Sequence, residues 1–248
     1  MGPRLWGAIA LGAVLVIALG VWVSSLLTPV TRPGQPTASV SALPAPTTAA
    51  PTPSASTGPS GSASPKPSTA PTLKVPKLKS SGTFDIAAVK VAAASTSGEL
   101  RRYSVRVETT AKLKADSVGT QVAGVLNDPR SWAGSGGVRF ALVADPAKAD
   151  FSITLAAPGT AAKSCDPDAA GTCTDSADVV INAAFWSVTP SGFAGDRASW
   201  RAYLVNHGMG QLLGEQKATC AKKGQPAPVM MPQAGDLGDC AANPWPYP

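Results

Sequence analysis

His207 is the only histidine in the 248-residue chain, and the four cysteines, Cys165, Cys173, Cys220 and Cys240, all lie in its last third. Metal binding, proton transfer and cross-linking are the chemistries open to these side chains. A single histidine can accept a proton or supply one metal ligand, but it excludes a site built on three imidazoles. A zinc site made of the cysteines would want pairs about two to four residues apart, a spacing this chain lacks. An even number of cysteines behind an export signal reads instead as a disulfide framework. Three pairings are open, and the local ones, Cys165–Cys173 and Cys220–Cys240, are favoured.

The elements that must position these residues follow from periodicity. His207 falls in an expected helix over Ser199–Leu213, where Trp200, Tyr203, Leu204 and His207 share one stripe and Gly214 is placed to end it. A second helix is expected over Asp116–Leu126, with Val118, Val122, Val125 and Leu126 at helical spacing and a stop at Asp128-Pro129. Between Leu100 and Thr109, Tyr103, Val105 and Val107 alternate with Ser104, Arg106 and Glu108, the period of a half-buried strand. Shorter strands are expected over Phe84–Ile86, Val138–Val143, Asp150–Leu155 and Asp178–Asn182, and the chain beyond Cys220 reads as loop. The order is α+β, and residues 81–248 are long enough for one domain with its own core.

The helix carries a resemblance. The run from Tyr203 to Lys217, with Pro228-Val229-Met230-Met231-Pro232 behind it, resembles the frame of the metzincin signature H-E-x-x-H-x-x-G-x-x-H and its following Met-turn. With Arg130-Ser131-Trp132, Val180-Ile181-Asn182 and Asn243-Pro244-Trp245-Pro246, the chain is similar to an actinobacterial, extracytoplasmic, metzincin-like family, domain of unknown function 3152, over most of residues 81–248. The resemblance implies a mixed sheet packed on two main helices, with the His207 helix above the turn of Met230 and Met231.

It also implies where a catalytic zinc would have sat. In that signature two histidines one turn apart hold the metal, the glutamate between them is the general base, and a third histidine follows a turning glycine. Carried onto this sequence, the first ligand is His207, the base position is Gly208, the second ligand position is Gln211, the turn is Gly214 and the third ligand position is Lys217. One ligand of three remains and the base has no side chain. The implied reading is a degenerate, catalytically inactive domain with no bound metal or other cofactor, in which Met230 or Met231 packs as core beneath the former metal site. The glycines at 208 and 210 each cost a helix about 1 kcal/mol relative to alanine.

Upstream of the domain the composition changes twice. Leu5 to Val23 carries no charge, and with Ser24–Leu27 it reaches the roughly 20 residues that span a bilayer. It is longer than the core of a cleaved signal and ends without a small-x-small site, so residues 1–28 read as a transmembrane anchor, with Trp6 and Trp22 near its ends. Residues 29–80 are rich in Pro, Ala, Ser and Thr and lack aromatics, the composition of a disordered stalk.

The net charge of +6 belongs entirely to residues 1–80, since residues 81–248 hold 15 basic and 15 acidic side chains. That balance, without a basic-aromatic platform, excludes nucleic acid as the expected partner. The expected protein is a single-pass cell-membrane protein with its C-terminal domain outside the cytoplasm, binding or scaffolding a cell-wall polymer or protein ligand. A divergent zinc-dependent metallopeptidase and a purely structural spacer are the competing readings.

Overall fold

A computed structural model describes residues 73–165 and 171–248. The expected anchor over 1–28 and the expected stalk up to residue 72 lie outside the described residues. Among the described residues no helix is long and apolar enough to cross a membrane.

The α+β expectation holds, with a six-stranded mixed sheet. The longest strand, β2 (Glu99–Glu108), places Tyr103, Val105 and Val107 on one face and Ser104, Arg106 and Glu108 on the other, as its alternation requires. Beside it run β4 (Phe151–Ala156) and then β6 (Asp178–Asn182), all parallel, with Val105 opposite Ile153 and Ile153 opposite Val179. The other side of β2 is shared by β3 (Val138–Leu142), parallel along its first half, and β1 (Phe84–Ile86), antiparallel along its last. The far edge is β5 (Thr172–Asp175), antiparallel to β6.

Two long helices, α1 (Ala115–Leu126) and α4 (Arg197–Leu213), cover the apolar face of the sheet. Val118, Val122 and Leu126 of α1 join Trp200, Tyr203, Leu204 and Met209 of α4 over Tyr103, Val105, Ile153 and Ile181 in one core. A parallel sheet needs crossovers on its faces, and α1 is the β2–β3 crossover. The opposite face is covered in part by α2 (Pro158–Ser164), where Ala161 meets Ala156, Val180 and Cys173. A short α3 (Ala183–Trp186) follows β6, capped by the Asn182 side chain.

The lead-in to β1 belongs to the packed domain. Leu73 and Leu78 are partly buried against the core. The Glu108 carboxylate, with no exposed surface, accepts from the backbone N–H groups of Ser81, Gly82 and Ala157 and from the Thr160 hydroxyl. Cys165 is bonded to Cys173 and Cys220 to Cys240, the two local pairings.

Candidate functional site

The His207 helix starts and stops where its end residues direct. Asp196 caps it, its carboxylate accepting from Ser199 N–H at 3.0 Å and from the Ser199 hydroxyl at 2.7 Å. Gly214 ends it at φ +83°, while Glu215 N–H returns to the Gly210 carbonyl. The helix lies across the last strands, and its middle turns touch two different things, the sheet below β5–β6 and the loops that follow Cys220.

Gly208 faces the sheet. A Cβ placed there would stand 2.6 Å from Val179 Cγ1 and 3.7 Å from Thr172 Cβ. Gly210 faces the loops, where a Cβ would run into Met230 Sδ and stand 2.8 Å from Trp132 Cζ2. Both glycines are therefore close-packing positions, and the helix propensity they sacrifice is offset by the approach they permit. Gln211, one turn on from His207, is turned to the edge strand, its Oε1 accepting from Thr172 Oγ1 at 3.3 Å.

His207 is fully buried over the turn at Val229–Met231. Its Nδ1 lies 2.8 Å from the Val229 carbonyl, which can only accept, so Nδ1 carries the proton. The Tyr203 oxygen stands 3.1 Å from the same nitrogen, donates to the Met231 carbonyl at 2.9 Å and accepts from Gln233 N–H at 3.0 Å. Met230 is buried beneath the helix and Met231 is half-buried beside it. One imidazole and one phenol thus satisfy the polar backbone of a turn that has no regular secondary structure to do so.

The rest of the C-terminal loop is held the same way. Gln233 Nε2 donates to the Asn243 carbonyl at 2.8 Å while Asn243 N–H donates to Gln233 Oε1 at 2.8 Å. Asn243 Nδ2 also reaches the Ala227 and Trp245 carbonyls, and Asn206 Nδ2 reaches the Pro244 carbonyl at 2.9 Å. Trp132 Nε1 donates to the Asn206 carbonyl at 2.8 Å. These amides and indoles were not foreseen as site residues. Two signals were available: Trp132 and Asn243 stand in the short blocks that carry the family resemblance, and polar side chains amid apolar, proline-rich sequence are the groups a buried loop needs.

The structure brings His207, Met230 and Met231 together and separates the other expected positions. Gly208 and Gln211 are committed to β5 and β6, Gly214 is the helix stop, and Lys217 is exposed beyond it. These residues do not fit a zinc site: among the described residues no three of His, Cys, Asp and Glu cluster to hold an ion. A neutral amide already engaged with Thr172 and an exposed ammonium do not replace two imidazoles.

A family model described as protein of unknown function (DUF3152) matches residues 70–239. No curated protein and no solved structure matches the chain.

Proposed function

The chain belongs to the DUF3152 family, and from that premise we propose that its folded domain is a catalytically inactive, metzincin-like binding or scaffolding module. On this reading it stands outside the cytoplasm on a single-pass anchor and engages a cell-wall polymer or protein ligand. Two disulfides support the oxidising compartment, since such bonds persist where thiols are not kept reduced. The packing of the His207 helix over Met230 supports the metzincin-like reading.

The observation that carries inactivity is Gly208. The position that would bear the general base is sealed against Val179, so no side chain at 208 reaches a metal-bound water without displacing the sheet. The test is metal content and chelation on purified full-length protein. The expected result is no stoichiometric zinc, no hydrolysis of a casein substrate, and a melting temperature unchanged by EDTA. About one zinc per chain, with EDTA lowering the melting temperature, would return the domain to the metallopeptidases.

A further inference from the structure

A second concave site lies between α1 and α4, with no residue in common with the His207 turn. It is a cavity of about 320 Å³ between the outer turns of the two helices and the C-terminal segment, walled by Val125, Trp186, Ala202 and Trp245 and by Arg130 and Arg201. That volume is at the lower end of small-molecule sites, which typically begin near 300 Å³. Among the described residues no carboxylate lines it.

The half-buried Arg201 is held in place without being neutralised. Its Nε donates to the Trp186 carbonyl at 3.1 Å and its Nη1 to Gln121 Oε1 at 2.7 Å, both neutral acceptors, and its plane lies 5.0 Å over the Trp186 ring. Burial, and then the charge of Arg197 one turn away, lower its pKa. Arg130 is clamped by Asp128 through two 2.9 Å bonds while stacking 4.2 Å over Trp245. Trp186 is buried beneath Arg201, and Trp245 is half-buried. A fixed cation without a counter-charge and a partly exposed indole form an incomplete set. An anionic oxygen group would complete the polar part, and a ring would cover the apolar part.

We propose that the α1–α4 cavity binds an anion borne on a ring, its oxygens at Arg201 and its ring against Trp245 and Val125. An aromatic carboxylate and a uronic acid share this chemistry. The site stands whatever happens at His207, so zinc found there would leave it untouched.

The test is calorimetric titration of the full-length chain with benzoate, glucuronate and inorganic phosphate, with benzyl alcohol as the uncharged counterpart of benzoate. Saturable binding of benzoate or glucuronate, weakened by 0.5 M salt and absent for benzyl alcohol, is expected, and the one that binds more tightly identifies the source. Arg201→Gln should weaken it at least tenfold. Because that change also removes two hydrogen bonds, Gly124→Leu serves as the second variant. Gly124 lines the cavity, nothing lies within 4 Å of a Cβ built on it, and a leucine there fills the space while favouring the helix. Loss of binding with an undiminished melting temperature supports the site. Saturation by neither ring-borne anion, binding by benzyl alcohol equal to benzoate, phosphate as tight as both, or full binding by Gly124→Leu overturns it.

Discussion

Glu108 carries a charge with no exposed surface, and it is tolerated because every direction around it presents a donor. Burial works to raise its pKa, but the N–H groups of Gly82, Ala157 and Ser81 and the Thr160 hydroxyl outweigh that and lower it. A carboxylate depressed in the folded state contributes stability above its unfolded pKa and loses it as pH falls through the lower, folded value. Glu108→Gln presents an amide N–H₂ to a ring of donors, and should cost about 1–3 kcal/mol at neutral pH. Denaturant midpoints measured between neutral pH and acid should converge for the two proteins as pH falls, because the wild type loses the contribution the variant never had. Midpoints that keep their separation in acid would show that the charge is not what holds residues 81–82 and the start of α2 to β2.

At the scale of elements, the contact that decides the geometry of the site is α4 against β6. Gly208→Ala adds a methyl where Val179 Cγ1 already stands, and overpacking of this kind costs about 1–3 kcal/mol, more than the helix propensity gained. Val179→Ala alone opens a cavity. The two together should recover much of the loss, so a double-mutant cycle read by denaturant unfolding should give a favourable coupling of about 1 kcal/mol or more. Additive effects would mean that the helix does not sit where Gly208 meets the sheet. The sequence-derived strands and helices coincide with β1, β2, β3, β4, β6, α1 and α4 to within two residues because each has a clean period or a distinct stop signal. The edge strand β5 was hidden, since Thr172-Cys173-Thr174-Asp175 has only half an apolar pattern and takes its pairing from β6. The helices α2 and α3 are too short for periodicity to speak. At the site, the family resemblance implied His207 over Met230, whereas the reason for Gly208 lay in Val179, 29 positions away and on another element.

For the whole molecule, the proposed anchor and the two disulfides make a joint demand. Full-length protein should pellet with membranes and resist salt extraction, because a spanning helix is not displaced by ionic strength. Its domain should yield the Cys165–Cys173 and Cys220–Cys240 peptides under non-reducing digestion. A soluble form beginning beyond Leu27 would identify the apolar segment as a cleaved signal instead. The Gly208–Val179 contact reaches further still, into what descendants of this chain can become. A larger residue at 208 is penalised while valine stands opposite, and a smaller residue at 179 is penalised while glycine stands opposite. Each step away from the present pair goes downhill in stability before the second step repays it. The pair is a ratchet, so lineages carrying it should keep both residues or exchange both, and the order of exchange is set by which intermediate still folds.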